Sequence, residues 1–450
     1  MINKLDEGKV LDLAKKIVSE SLKQGYDDVA AIVNYRNEVM VKFANSQPSI
    51  MQNWNIIGIS VYLAKDKRVA TLDFEVSNEE EALRYLRSYI SEISLSEPSE
   101  YYTPLPQVET KIKRIEEAHE SIVKALENPE EISEEILNTA LTYDIDKLAG
   151  MFNVTVGLEA LSTSTGVETL ESYGNYEFYV RVFKDEGSGQ WASAGRILRR
   201  ESIVEATKIA VGYALNSKRR ESIAADVYDI ILSPMVVANL FNIVGSMASA
   251  FRVDLGLSIF ANNKVGDRVA SEKLTLIDDP RNPESYSMTF VDAEGIPTRR
   301  NSIIENGVLK TFLHNSKTAR RHGVESTGNA GWINPHPWSL EVAPGNLSLD
   351  ELIAEVKRGI LVTNNWYTRL QNYVEGMFST VTRDALFLIE NGKIVKAVTK
   401  LRIADKLPRI LRNIEYLGKR RYQIKWWEAE IPTITPYILV RNVHTSKHLL

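Results

Sequence analysis

The first clear pattern along the chain is helical. Val10, Leu13, Ile17, Val18 and Leu22 recur at spacings that put them on one face of a helix, and Gly25 stands just beyond as a stop. The period then shortens. DVAAIVNY, EVMVKFA, WNIIGISVYLA and RVATLDF are rich in β-branched and aromatic residues and are separated by short polar turns such as residues 65–67, so they predict a four-stranded meander. Ser77-Asn78-Glu79-Glu80 has the spacing of a capping box, and Leu83, Leu86, Ile90 and Ile93 continue one apolar face, which predicts a second helix covering that sheet. Pro98, Pro104 and Pro106 can continue neither a helix nor a central strand, so residues 96–108 read as a linker.

Two helical stretches follow, residues 112–127 and 133–148, broken by Asn128-Pro129. VTVGLEAL, VETLESY, YEFYVRVFKDE and GQWASAGRIL then predict a second antiparallel meander, with a helix over residues 203–215 packed on it. Beyond residue 222 a turn signal occurs twice, Ile304-Glu305-Asn306-Gly307-Val308 and Ile389-Glu390-Asn391-Gly392-Lys393. Asn-Gly between apolar flanks favours a type I′ hairpin because both central residues need positive φ. Ser233-Pro234 starts one of the few helices here, a cap followed by a proline whose missing N–H is harmless at that position. The predicted class is α+β: two N-terminal α+β units, residues 1–95 and 109–221, each an antiparallel sheet with covering helices, then a predominantly β domain over residues 222–450.

Composition narrows the function classes. The chain has 450 residues, 44% of them hydrophobic and 25% charged, so it can bury a large core and is neither disordered nor fibrous. Lys plus Arg number 54 against 59 Asp plus Glu, a net charge of -5 that speaks against a general nucleic-acid binder. There is no cysteine, which excludes disulfides, thiolate nucleophiles, iron-sulfur ligation and Cys-type zinc sites. The N-terminus carries acids and no continuous apolar run, so it does not read as a secretory signal. The longest uncharged stretch, residues 230–251, is punctuated by Ser233, Pro234, Asn239, Asn242 and Gly245 and reads as core, not as a membrane span. A cytoplasmic protein without a membrane partner is the expectation.

Candidate chemistry is sparse. His119, His314, His322 and His336 are scattered without an HExxH or HExxxH pair, while His444 and His448 stand four apart in what reads as a frayed polar tail. His314 and His322 flank a short helical stretch ending at Gly323, so His322 is placed to serve that helix's C-terminus. The loop Ser326-Thr327-Gly328-Asn329-Ala330-Gly331 is small and polar. It can be a tight loop or can offer backbone N–H groups to a peptide or anion, but it lacks both nucleotide-binding glycine patterns. Asp278/Asp279 and Asp292/Glu294 imitate two-carboxylate sites, yet each sits beside Pro or Gly and reads as solvated turn. No GxSxG elbow is present. The runs Arg199-Arg200, Lys218-Arg219-Arg220 and Lys419-Arg420-Arg421 suit solvated loops or a partner equally, and Trp426-Trp427 suits an exposed patch or a core edge.

Several strings nonetheless resemble one family. TARRHGVESTGNAG, SLEVAPGNLSLDELIAEVKRGILVT and GMFSTVTRDALFLIENGKIVKAVTKLRIADKL, with LTLIDDP and VDAEGIPT in order before them, are similar to the TldD/PmbA family. The likeness is dense from about residue 225 to 420 and diffuse but collinear before that. It implies a two-subunit zinc peptidase whose TldD-type subunit carries an HExxxH helix and a downstream cysteine ligand, while the PmbA/TldE-type subunit lacks them. The corresponding helix here reads Pro234-Met235-Val236-Val237-Ala238-Asn239-Leu240-Phe241-Asn242-Ile243-Val244-Gly245, without histidine or glutamate.

The resemblance therefore implies a metal-free TldE/PmbA-like subunit of a heteromeric TldD/TldE-type zinc metallopeptidase that degrades or processes unfolded or small peptides. No cofactor, metal or catalytic residue is then expected on this chain; zinc is expected on a TldD-like partner, and a homodimer in isolation. A peptide bound as an added β-strand would meet Ser326, Thr327, Gly328 and Asn329 in the glycine-rich loop and Gly376 and Phe378 at a strand entry. Two other readings stand beside it: a regulatory or scaffold protein that binds a folded partner, as the family's description as a modulator of DNA gyrase implies, and an independent peptidase with an unrecognised site.

Overall fold

A computed structural model describes residues 7–90, 97–100, 102–108, 110–114 and 118–447. The first half runs α1 (Glu7–Lys23), β1 (Asp28–Ala44), β2 (Gln47–Lys65), β3 (Arg68–Val76), α2 (Glu79–Ile90), β4 (Lys111–Arg114), α3 (Glu120–Glu127), α4 (Pro129–Leu141), β5 (Lys147–Thr163), β6 (Glu168–Lys184), β7 (Gly187–Gly195) and α5 (Arg200–Asn216). Val10, Leu13, Ile17 and Val18 of α1 are buried as their spacing predicts, whereas Leu22 at the end of the stripe is exposed.

The first meander has three strands, not four. DVAAIVNY and EVMVKFA form one strand, because Arg36, Asn37 and Glu38, which look like a polar turn, pair across to Ile56, Asn55 and Trp54 of β2. Arg36 also finds carboxylates on the sheet surface, Glu38 at 3.3 Å and Glu75 at 2.7 Å, so its charge needs no loop. β1 pairs in turn with β5, from Ala30 opposite Thr163 to Phe43 opposite Gly150. The two meanders thus share a seven-stranded sheet in the order β3-β2-β1-β5-β6-β4, with β7 also on β6. In the proline-rich segment, Tyr102 donates to the Asp28 carboxylate at the start of β1, and Leu105 is buried.

Two helix boundaries differ from the sequence pattern. α2 is capped by Asn78, one residue later than the Ser77 register: Asn78 Oδ1 accepts from the Glu81 N–H, and Glu81 Oε2 reaches back past the cap to accept from the Ser77 N–H. Residues 111–114 are a strand parallel to β6, because the open sheet edge offers them backbone partners that outweigh a weak helical preference; the helix begins only at Glu120. α4 starts on Pro129 and ends at Leu141; residues 142–146 form a turn, and β5 begins at Lys147, so the helix does not reach residue 148.

The second half runs β8 (Val227–Leu232), α6 (Pro234–Met247), α7 (Ala250–Asp254), β9 (Leu276–Asp278), β10 (Asn301–Glu305), β11 (Val308–Leu309), α8 (Ser316–His322), β12 (Leu340–Val342), α9 (Leu349–Ala354), β13 (Arg358–Asn372), β14 (Met377–Glu390), β15 (Lys393–Ala397), β16 (Leu401–Lys406), α10 (Leu407–Arg412), β17 (Ile414–Leu417), β18 (Tyr422–Trp426), β19 (Ala429–Thr435) and β20 (Ile438–Lys447). One sheet has the order β11-β10-β9-β12-β19-β18. In the other, the pairings β13–β8–β20–β16–β14 return to β13, so five strands close into a ring, with β15 on β14 and β17 on β20. Both Asn-Gly turns have the required left-handed pairs: Asn306 and Gly307 at φ 48° and 78°, Asn391 and Gly392 at 49° and 76°. The architecture is α+β.

α6 lies at the centre. Ser233 Oγ caps it by accepting from the Val236 N–H, and Pro234 occupies its first turn. Its apolar residues face two cores: Met235 and Ala238 pack with Trp191, Trp426 and Leu439, while Val236, Val237, Leu240, Phe241 and Val244 pack against the strand ring through Ile230, Ile360 and Phe378. The uncharged stretch that contains it is thus a strand, a turn and a buried helix. Among the described residues no helix is long and apolar enough to cross a membrane.

Candidate functional site

A helix apolar on nearly every side makes its few polar residues conspicuous. Asn239 and Asn242 project from α6 toward the β18–β19 turn. The Asn242 carboxamide donates to Ile431 O at 2.9 Å and accepts from Ile431 N at 2.8 Å, behaving like one more residue of a strand ladder. Asn239 Nδ2 donates to Glu428 O at 2.7 Å and to Glu428 Oε2 at 3.2 Å. Its Oδ1 accepts from Asn365 Nδ2 at 2.8 Å and Thr368 Oγ1 at 2.7 Å. Asn365 reaches on to Thr380 Oγ1 at 2.9 Å. Asn239 and Asn365 are buried, so this amide-hydroxyl network works at low dielectric, where each bond is strong and each missing partner costly.

The network is roofed by exposed aromatic rings. Trp366, Tyr367 and Trp427 are each about half exposed. The Arg383 guanidinium lies 5.3 Å from the Trp366 ring and 5.8 Å from that of Trp427, and Arg369 lies 4.2 Å from Tyr367. Two non-glycine residues here hold left-handed backbone, Tyr367 at φ 55° and Asp384 at φ 59°. Such conformations are held only where surroundings impose them, and they gather at functional sites. The Tyr367 N–H is pinned by Glu428 Oε1 at 3.1 Å. The fully buried Asp384 carboxylate takes the Arg181 Nε–H at 2.6 Å and Asn364 Nδ2 at 2.9 Å.

Chemically the arrangement offers neutral amides and hydroxyls, two carboxylates already engaged, those of Glu428 and Asp384, and flat rings interleaved with guanidinium groups. It can hold an extended chain by hydrogen bonds, ring faces and salt links, but it has no poised proton donor or nucleophile. Its donor set does not suit a hydrolytic zinc ion, which takes imidazole, thiolate and carboxylate ligands. Among the described residues no group of three His, Asp or Glu side chains is placed to hold a metal ion.

The residues singled out from sequence fall elsewhere. Thr327, Gly328 and Asn329 are buried and Ser326 half-buried. Thr327 Oγ1 accepts from the His314 N–H at 2.7 Å. Gly328 sits at φ 74°, with Pro297 O 2.6 Å from where a Cβ would stand. Asn329 donates to Asp278 and to His336 O, and accepts from Asn301. Gly376 and Phe378 are buried, Phe378 within the core of the strand ring, while Met377 between them is exposed. None of the six bonds to Asn239.

Three acids that read as solvated turn residues are buried. Asp278 accepts from the Trp338 and Ser339 N–H groups at 2.8 and 2.9 Å, and burial lifts its pKa to about 7. Asp292 accepts the N–H groups of Glu294, Ile296 and Ala330; burial and the adjacent Glu294 carboxyl raise it to about 8. These side chains organise the turns beneath the 326–331 loop. Asp279 alone of the four is half-exposed. His444 is likewise not in a frayed tail. It lies in β20 opposite Val227, with Nδ1 2.7 Å from Arg409 Nη1; His448 lies outside the described residues. His322 does close α8, beside the left-handed Gly323, and meets Asp254 at 2.8 Å. Of the tryptophan pair, Trp426 is core and Trp427 surface.

Sequence reasoning missed Asn365, Thr368, Arg383 and Glu428 as a group because they lie on separate elements. The signal available was Asn364-Asn365-Trp366-Tyr367, where two amides abut two aromatics in an otherwise apolar strand.

With this geometry in place, the kinship can be stated. Residues 225–447 match the PmbA/TldA metallopeptidase C-terminal domain, and the chain belongs to the PmbA/TldD family. Among its relatives, a metalloprotease of Methanothermobacter thermautotrophicus is 28% identical over 228 residues, covering 49% of each chain. Metalloprotease PmbA of Escherichia coli O157:H7 is 32% identical over 193 residues, 42% of this chain and 40% of that one. The match spans about half the length of these relatives or less. The crystal structure of TldE from Thermococcus kodakarensis superposes with a TM-score of 0.82 at 22% identity, covering 96% of this chain and 100% of the other, and so shares its fold.

Proposed function

We propose that the chain is the metal-free, TldE-type subunit of a heteromeric zinc metallopeptidase, completing the peptide-holding surface around a TldD-like partner that carries the zinc. Unfolded or small peptides are the substrate class. The observation that carries the reading is the α6 face itself: where a hydrolytic subunit needs imidazoles and a carboxylate, this helix presents Asn239, already bonded to β13 and to Glu428 in the β18–β19 turn, and Asn242, already bonded to β19. The family membership and the metalloprotease relatives support the peptidase setting. The aromatic and guanidinium surface beside α6 suits extended chains of mixed sequence, since rings and backbone bonds recognise shape more than identity.

The test mixes the purified full chain with the TldD-like protein of the same organism, followed by size-exclusion chromatography, metal analysis and a peptide-cleavage assay. The reading expects a metal-free, inert chain alone, and a complex with gained or altered cleavage that chelation abolishes. Stoichiometric metal or cleavage by the chain alone, or no complex at all, refutes it.

A further inference from the structure

A cleft of about 520 Å³ opens where β7 and α5 of the N-terminal sheet meet β18 of the C-terminal half. This is within the size range of small-molecule sites. Its wall is largely polar, with Tyr422 set edge-on at 5.2 Å against the buried Trp191 behind it, and its rim carries Arg199, Lys419, Arg420 and Arg421 against only Glu205 and Glu284. The whole chain has a net charge of -5, so this is a local reversal of sign. A second hollow of about 400 Å³ shares Glu205, Lys419, Arg420 and Tyr422 with the first. The Glu205–Arg420 contact therefore stands between them.

The ion pairs of the rim show how an anion would be received. Arg421 is steadied from behind by Glu341 at 3.2 Å, and Arg199 holds Glu284 at 2.7 Å. Arg420 holds Glu205 while lying 5.1 Å from the Tyr422 ring, its side chain 63% exposed. Among the described residues, Lys419 makes no ion pair within 4 Å and acts on the Glu351 carboxylate of α9 only at longer range. Glu205 thus occupies a cation in the way an incoming anionic group would, and an exposed pair of this kind is weak enough to exchange.

We propose that this cleft binds a small organic polyanion bearing carboxylate or phosphate groups, one of which replaces Glu205 on Arg420 while Lys419 supplies the unpaired positive charge. This site is separate from the α6 surface and does not depend on the function proposed above. Isothermal titration of the full chain with citrate and, separately, with pyrophosphate at low ionic strength tests it. Binding of citrate alone assigns carboxylate, and of pyrophosphate alone phosphate; either supports the site only if the variants respond. Lys419→Ala and Arg420→Ala should each weaken binding about tenfold, as expected for loss of a charged hydrogen-bond donor. Glu205→Gln keeps the shape and removes the competing charge, so it should tighten binding severalfold. Lys15→Ala, on the far helix α1, should change nothing. The proposal is overturned if neither probe binds below millimolar concentration, or if the affinity is the same in Lys419→Ala and Glu205→Gln as in the native chain.

Discussion

Replacing Asn329 with alanine removes a fully buried carboxamide that joins three segments of the C-terminal half. It donates to Asp278 Oδ2 at 2.6 Å and to His336 O at 2.9 Å, and it accepts from Asn301 Nδ2 at 3.0 Å. Asn301 keeps its bonds to Arg299 O and Thr327 O, so its loss is small. Asp278 keeps the two backbone donors on Oδ1 but leaves Oδ2 bare, and the His336 carbonyl is stranded. A bond to a carboxylate is worth about 2 kcal/mol and an unpaired buried carbonyl costs about 1–2 kcal/mol, so with the small void the destabilisation should be about 3–5 kcal/mol. Because the Asn329 bond favours the ionised form, the Asp278 carboxyl should also titrate above its native value of about 7. Urea unfolding gives the overall loss, and amide exchange at Trp338 and Ser339 reports the site directly. A loss under about 1 kcal/mol with unchanged exchange at those amides would refute the claim that the 326–331 loop is a structural knot.

Two further outcomes follow from burial. The carboxyls of Asp278, Asp292 and Glu171 are raised to about 7, 8 and 7, so the folded chain holds these protons more tightly than the unfolded one. Their contribution is complete below the ordinary carboxylate range and declines as pH rises toward 8. Buried His314, lowered to about 4, works the opposite way but only below about pH 6.5. Stability measured by thermal melting should therefore fall between pH 6.5 and 8.5, and a flat or rising profile contradicts the assignment. Phe378→Ala should destabilise by about 3–5 kcal/mol, whereas Met377→Ala beside it should stay within about 0.5 kcal/mol. Equal effects in denaturant unfolding would mean Phe378 is not the core residue described.

What was legible in the sequence was whatever local chemistry decides. Asn306-Gly307 and Asn391-Gly392 must turn left-handed, and Ser233-Pro234 must begin a helix, whatever surrounds them. Residues 111–114 became a strand only because the edge of β6, more than fifty residues away, was free to receive them. The acids at 278, 292 and 294 look like turn residues because they stand at or beside turns, Asp278 as the last residue of β9 and Asp292 and Glu294 around the turn at Gly295. Their burial comes from the 326–339 segment folding over them, which no window around Asp278 contains. The candidate site was hidden for the same reason: Asn239, Asn365, Thr380 and Glu428 meet only once β13, β14 and the β18–β19 turn are assembled around α6. The missing histidine and glutamate on that helix could be read directly, but the amide network in their place could not.

The long ladder between β1 and β5 also bears on how the chain is made. β1 leaves the ribosome about a hundred residues before β5, and at synthesis rates of about 5–20 residues per second its outer edge waits roughly 5–20 s for a partner. Throughout that interval a row of backbone donors and acceptors flanked by Val33, Val39 and Val41 lies open to any strand that passes, including those of neighbouring nascent chains. A recombinant fragment cut at the proline-rich segment would freeze this vulnerable stage permanently. Fragments meant to remain in solution should extend past Gly195, where β7 has joined β6 and the sheet is whole.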